Sequence, residues 1–453
     1  MSSTAGPVPP GHTSACPDPG GAVDAGPDRA AGYRAVFAVP EFRYVFVAHL
    51  LSSLGVVVCE IALSVLVFRL TDSPLLSALT FALGLLPYVV GGTLLSAVAD
   101  RYPARRVLVG CDALCALAAA GLLVPGTPVA VLLALRCVIA AVAPVFAGTR
   151  AATLGDVLGE GDLFVLGRSV IRIVNQSAQL AGFGAGGLLL AVASPTAVLA
   201  LTAATFTASG LLLWLGTRAR PARDGARGQA PGALLGDSLG GVRRLWADRR
   251  VRALLLLTWL PPTFVVIPEA LLVPYADRLG VGPAGAGLLM CSMPVGAVLA
   301  EGLVGSFLGP RGRSRLTFPL GVFAVLPSLG FAAEPSLGWA MLLLVLTGTG
   351  IAYNFGVDRW LVAAIPEQQL GRAMTLTQAG RMTLMGLAMG AAGIAAEWVP
   401  LRVVMPAGGV VGAVCVLAVI AEVRRTRGGH RAPAGTAPRA GRGAPGGPVA
   451  TEK

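Results

Sequence analysis

The stretch Gly91-Gly92-Thr93-Leu94-Leu95-Ser96-Ala97-Val98-Ala99-Asp100-Arg101-Tyr102-Pro103-Ala104-Arg105-Arg106 begins as an apolar helix and ends in charge around a proline. A helix leaving a bilayer needs such an ending. It requires a charged stop, a turn residue, and basic side chains that stay on the cytoplasmic side. If this stretch is a membrane exit, its flanks should be further spans and the whole chain should have a membrane composition.

The composition agrees. The 453 residues are 55% hydrophobic and 13% charged, against about 25% charged in a soluble globular chain. Mean hydropathy is +0.74. Aromatic residues make up 6%, so the apolarity comes from Ala, Leu, Val and Gly, which suits many helices packed through small residues. The net charge of +12 is almost all arginine, and Lys453 is the only lysine. These arginines lie between apolar segments rather than on one soluble domain, so no nucleic-acid partner is expected.

Several chemistries drop out. With Lys453 the only lysine there is no G-x-x-x-x-G-K-[ST] phosphate loop and no Schiff-base lysine is expected, so neither ATP hydrolysis by that route nor an ATPase subunit is expected. His12, His49 and His430 are far apart, and Cys16, Cys59, Cys111, Cys115, Cys137, Cys291 and Cys415 contain no C-x-x-C. The cysteines read as packing residues, with no metal or cofactor site. Residues 280–285 spell G-x-G-x-x-G but lie between apolar segments with no strand before them, so they are not a dinucleotide site. No nucleophile–base constellation appears, and the chain does not read as an enzyme.

A span needs ~20 residues. Apolar segments of that length run over 42–68, 74–99, 107–124, 128–149, 167–193, 195–216, 251–276, 283–308, 316–332, 337–358, 373–396 and 401–422, twelve in all. The even-numbered connections hold Arg101, Arg105 and Arg106, then Arg150 and Arg168, the basic run 218–252, Arg311, Arg313 and Arg315, and Arg359 and Arg372. The odd-numbered connections hold only Arg69, Arg278 and Arg402. The positive-inside rule then puts the even loops and both termini in the cytoplasm. The expected division is a disordered tail over 1–41, a six-helix bundle over 42–216, a central loop over 217–250, a second bundle over 251–423 and a disordered tail over 424–453.

The halves repeat each other. Leu166-Gly167-Arg168 is followed by Gly182 and Gly186, and Leu370-Gly371-Arg372 by Gly386 and Gly390, at a constant offset of 204 residues. Arg150 and Arg359 correspond at an offset of 209, and the loop 309–315 echoes 102–106 in degraded form. With six helices per half, each repeat enters the membrane from the same side.

Residues 96–106 resemble the signature between the second and third helices of the major facilitator superfamily, G-x-L-[AS]-D-R-x-[GP]-x-R-R, with Ser96 in place of Gly and Val98 in place of Leu. With the repeat, the resemblance extends over residues ~40–423. It implies an all-α polytopic membrane fold of twelve helices in two parallel six-helix repeats. It also implies alternating access around a site near the midplane. In that family the loop charges latch the two halves in one state. The resemblance assigns this role to Asp100, Arg101, Arg105, Arg106 and Asp112, with Arg372 and Glu301 as contacts of the second half.

Ionisable residues at membrane depth are functional candidates by default. Glu60 follows Arg43 by 17 residues and Glu269 follows Arg252 by 17, on helices that are repeat partners. At 1.5 Å per residue both carboxylates lie ~25 Å from the cytoplasmic interface, in the outer half. Pro261, Pro262, Pro268 and Pro274 surround Glu269 and predict a kinked helix. Arg136 in the fourth helix resembles the arginine of an R-x-x-x-G motif of drug:proton antiporters, with Ala140 in place of the glycine. It requires a carboxylate partner, for which Glu60 is the candidate. Residues 182–187 resemble the antiporter motif G-P-x-x-G-G with Phe183 replacing the proline, and read as a close-packing helix face. Asn175 and Gln179 on the fifth helix, and Gln378 and Arg381 on the eleventh, are further cavity candidates.

The Leu-Thr-Asp-Ser-Pro stretch at 70–74 and the long connection 150–168 look similar to macrolide-type exporters. The expectation is proton-coupled efflux of a small hydrophobic or amphipathic compound by a monomer in the plasma membrane. It would use the proton gradient and no cofactor, with the lipid bilayer as its surroundings. Two alternatives stay open: an importer of a small nutrient, and a transport-dead scaffold or sensor.

Overall fold

The structure, a computed structural model, describes residues 33–88, 102–159, 162–218, 220, 246–308, 310–365 and 367–427. Every regular element among them is helical. In the first half, α1 is Pro40–Thr71, α2 is Pro74–Leu85, α3 is Ala104–Gly121, α4 is Val129–Leu158, α5 is Asp162–Val192 and α6 is Pro195–Gly216. In the second, α7 is Arg249–Ala270, resuming as Leu272–Arg278, and α8 is Gly282–Phe307. Then α9 is Pro310–Phe323 with a 3-10 segment Leu326–Ala333, and α10 is Leu337–Gly350, continued through Ile351–Tyr353 into Asn354–Ala364. Last come α11, Glu367–Trp398, and α12, Leu401–Arg427.

Local sequence sets the helix starts. Ser73 caps α2, its hydroxyl accepting the Leu76 N–H at 3.2 Å, with Pro74 at the first helical position. Ser194 and Pro195 repeat the device for α6, with Ala197 N–H donating at 3.2 Å. Asp248 caps α7 through the amides of Arg250 and Val251 at 2.8 and 3.1 Å. A side-chain oxygen at each site satisfies amides that the helix leaves orphaned, and proline loses nothing there because its missing N–H would be unpaired anyway.

Nine helices among the described residues are long and apolar enough to cross a membrane. The other three rods fall short for visible reasons. The described part of α2 is brief, α3 carries Arg105, Arg106 and Asp112, and α5 carries Asn175, Gln176 and Gln179. The outward faces present Leu117, Val192, Leu215, Phe307 and Leu417 as exposed side chains, which suits hydrocarbon rather than water.

Within the first half, α1 packs on α5 and α6, and α3 on α4 and α6. Within the second, α8 packs on α10, and α7 on α11 and α12. The halves meet through α5 against α8 and α2 against α11. Under the 204-residue offset these are one contact made twice, since α2 corresponds to α8 and α5 to α11. At the first of them a Cβ on Gly187 would lie 2.5 Å from the Gly287 Cα, so the backbones touch only because both residues are glycine.

These cross-half contacts gather toward the end where α1 runs into α2, hereafter the odd-loop end. There Glu397 of α11 accepts the Leu75 N–H at 3.0 Å and also the Ser73 hydroxyl.

The segment boundaries shift in places. The tail expected over 1–41 is helical from Tyr33, because Val36 and Phe37 pack with Phe42, Leu154 and Leu158. Helix α12 continues to Arg427, past the expected limit at 423. Helix α4 extends to Leu158, nine residues beyond the apolar segment ending at 149. Continuous apolarity marks the membrane, and a helix continues past it wherever its next turns find a partner.

Candidate functional site

Between the halves, on the even-loop side of the cross-half contacts, lies a cavity of about 500 Å³. Helix α1 supplies Glu60; α5 supplies Asn175, Gln176, Gln179 and Phe183; α7 supplies Pro261, Pro262 and Glu269. The second half completes the wall with Met293 of α8, Tyr353 and Asn354 of α10, and Arg381, Met382, Met385 and Met389 of α11.

The sharpest feature is an ion pair across the first bundle. Arg136 Nη2 of α4 donates to Glu60 Oε1 of α1 at 2.8 Å, with side chains 3% and 17% exposed. Two desolvated charges at this depth are tolerated because each neutralises the other. The pair has room because α2 carries glycine beside it: a Cβ on Gly84 would come within 3.0 Å of both Arg136 Cζ and Glu60 Oε1. Arg136 Nε is buried with no hydrogen-bond partner among the described residues.

Glu269 sits at the opposite wall, buried, with no ion pair among the described residues. Two residues further on, α7 breaks at Leu271 (φ −107°, ψ 5°). The kink that the prolines predict is therefore a helix that holds through Pro261, Pro262 and Pro268 and yields just after the carboxylate. Arg381 Nη2 donates to Gln378 Oε1 at 2.7 Å, one turn earlier on the same helix. The Tyr353 hydroxyl donates to the Thr258 carbonyl at 3.2 Å, tying α10 to α7.

Of the residues singled out from sequence, Glu60, Glu269, Asn175, Gln179 and Arg381 line this cavity. Arg136 and Gln378 reach it through their partners Glu60 and Arg381. The loop charges divide differently. Asp100 and Arg101 lie outside the described residues, as does the Arg372 side chain. Arg105 donates to the Trp214 carbonyl at the end of α6, while Arg106 is exposed. Glu301 is half-buried on α8.

Asp112 departs from its expected place in the loop cluster. It is 1% exposed, accepting the Ser209 hydroxyl at 2.6 Å and that of Ser52 at 3.3 Å, so it binds α1, α3 and α6 together inside the first bundle. Nearby, His49 Nδ1 faces Arg150 and lies 3.2 Å from the Ser53 hydroxyl. Counted from the expected segment start at 107, Asp112 was close to the loop, but the helix begins at Ala104 and the residue lies more than two turns in, facing inward.

Sequence reading missed the methionine wall, Tyr353 and Glu397. Met382, Met385 and Met389 recur at helical spacing in the sequence, a visible signal. Glu397 gave none, because its partners Ser73 and Leu75 lie more than 300 residues away.

The family model described as Major Facilitator Superfamily matches residues 45–357. No curated protein matches the chain. Solved structures do. One described as a POT family transporter in complex with a thioalcohol-conjugated peptide aligns at TM-score 0.64 and 12% identity, covering 86% of this chain and 99% of that one. The nucleoside transporter NupG aligns at TM-score 0.65 and 15% identity, covering 84% and 98%. A structure from work on proton dependent oligopeptide transporters aligns at TM-score 0.61 and 12% identity, covering 85% and 98%. At these identities the likeness is one of fold.

Proposed function

The chain belongs to the Major Facilitator Superfamily, and we propose that this membrane transporter exports a small amphipathic compound from the cytoplasm in exchange for protons. The observation that carries the reading is the pair of carboxylates on one cavity, Glu60 held by Arg136 and Glu269 without an ion-pair partner among the described residues. A carboxylate that takes a proton loses the charge that ordered its surroundings, and proton binding then biases one packing of the halves over another. Protonating Glu60 releases Arg136, and protonating Glu269 removes a lone charge next to the break in α7.

The basic even loops favour the cytoplasm as the side toward which the cavity lies, with both termini there and the protein in the plasma membrane. The contacts of α5 with α8 and of α2 with α11 then close the outer side, and the conformation suits loading from within. A proton-dependent relative in fold agrees with this coupling. The methionine-rich wall suits an adaptable apolar surface for amphipathic cargo. The polar row Asn175, Gln176 and Gln179 favours a second reading, uptake of a small polar solute by the same cycle.

Susceptibility of an efflux-deficient bacterial host to a chemically broad panel tests the proposal, using wild type, Glu60→Gln and Glu269→Gln at equal membrane expression. Resistance from the wild type that both variants abolish is the expected result. Equal resistance from all three sinks the coupling role of the carboxylates. Sensitisation instead of resistance indicates uptake.

A further inference from the structure

The two sides of the cavity are not equivalent, although the helices that build them are repeat partners. At the 204-residue offset, Arg381 of α11 corresponds to Ser177 of α5, and Met382, Met385 and Met389 correspond to Ala178, Ala181 and Ala185. The second half thus carries a guanidinium and three long thioether side chains where the first half has small residues. All four line the cavity.

The guanidinium differs from the other arginine near the cavity. Arg136 spends its charge on Glu60 at 2.8 Å. Arg381 has no carboxylate within ion-pair reach among the described residues, Glu269 included, and its one hydrogen bond goes to the neutral Gln378 oxygen. Gln378 fixes one edge of the planar fork, and the remaining N–H groups stay available to an acceptor in the cavity. Such a fork matches a carboxylate, sulfonate or phosphate bidentately. Met382, Met385 and Met389 continue along α11 from Arg381 toward the odd-loop end, and Met293 of α8 adds to the same wall.

We propose that the cargo is an amphipathic organic anion, its acidic group held by Arg381 and its apolar body laid along the methionines of α11. This rests on the cavity being the transport site, and is independent of the direction of transport and of proton coupling. The alternation of charge is coherent: the anion neutralises a guanidinium that has no carboxylate partner among the described residues, while Glu269 remains as a separate carboxylate for a proton.

Equilibrium binding tests it without transport. Full-length protein in lipid nanodiscs is titrated with three probes that share one fluorophore: dansylglycine (anionic), dansylamide (neutral) and dansylcadaverine (cationic). Tryptophan-sensitised dansyl emission reads occupancy, because the Trp259 ring packs against Gly380, the neighbour of Arg381. Dansylglycine should bind about tenfold or more tighter than dansylamide, the strength of a charge-assisted hydrogen bond, with dansylcadaverine weakest. Arg381→Gln should bind anion and neutral probe alike, and Arg381→Lys should keep the anion preference in part. Retained dansylamide binding shows that Arg381→Gln is folded. The proposal is overturned by tighter binding of the cation, by an anion preference that survives in Arg381→Gln, or by no saturable dansylglycine binding in the wild type. Failure of export or proton coupling in cells leaves these binding results unchanged, so the two readings fail separately.

Discussion

The Glu397 carboxylate at the far end of α11 accepts the backbone N–H of Leu75 at 3.0 Å, so a side chain of the second bundle caps the first turn of α2 in the first. It also takes the hydroxyl of Ser73, the residue that caps α2 from within its own bundle. An anion at a helix N-terminus is favourable, and this one joins the two bodies that must separate when the odd-loop end opens. Removing it should shift the protein toward opening. Cys291 lies at the other cross-half contact, its thiol donating to the Leu180 carbonyl at 3.1 Å. In a variant whose only cysteine is Cys291, Glu397→Ala should raise labelling by a membrane-impermeant maleimide about tenfold, as expected for a lost charge-assisted bond. Unchanged labelling would show that the cap does not hold the closed state.

The Arg136–Glu60 pair makes a prediction about singles and doubles. Breaking a buried pair leaves one uncompensated charge and costs about 3–5 kcal/mol, whereas replacing both partners with apolar residues is often neutral. Thermal unfolding of detergent-purified protein should show Glu60→Ala well below wild type and Glu60→Leu/Arg136→Met close to it. A double variant no better than the single would mean the two charges are not coupled.

Gly84 tests whether the geometry of that pair matters to transport. A methyl there would press on Arg136 and Glu60 at 3.0 Å, whereas Gly110 on α3 has open space around its Cβ position. Gly84→Ala should lower transport by up to about a hundredfold, the penalty for misplacing a functional group by about 1 Å. Gly110→Ala should leave the rate near that of wild type. Equal rates in both variants would detach the ion pair from the cycle.

Asp112 should behave as a structural residue. Its removal orphans the buried Ser52 hydroxyl, whereas Ser209 keeps the Ala48 carbonyl at 2.9 Å, so Asp112→Ala should cost about 1–3 kcal/mol, the penalty for an orphaned buried polar group, while Asp112→Asn keeps an acceptor and loses less. The check is the unfolding midpoint of each variant. A change in transport with no change in midpoint would return Asp112 to the loop cluster where its position in the chain first suggested it belonged.

How much was legible beforehand follows from the range of each interaction. Membrane spans come from the apolar content of some twenty consecutive residues, and helix starts from local pairs such as Ser73-Pro74, Ser194-Pro195 and Asp248. Those signals are local, so the chain announces them. The repeat at 204 residues was equally plain, and it carried the correspondence of α5 with α11 before any contact was known.

Position along an apolar segment singled out Glu60 and Glu269, a motif resemblance added Arg136, and correspondence with the fifth helix added Arg381. Sequence by itself thus determined the fold class and the repeat. Which charges meet was decided only by the tertiary structure. Asp112 and Arg106 are six residues apart on α3, yet one is buried and the other exposed, while Glu60 and Arg136 are 76 apart and touch. Rotation about each helix axis, fixed by packing against several neighbours at once, sets those meetings. That phase depends on every partner together, so no single stretch of the chain contains it.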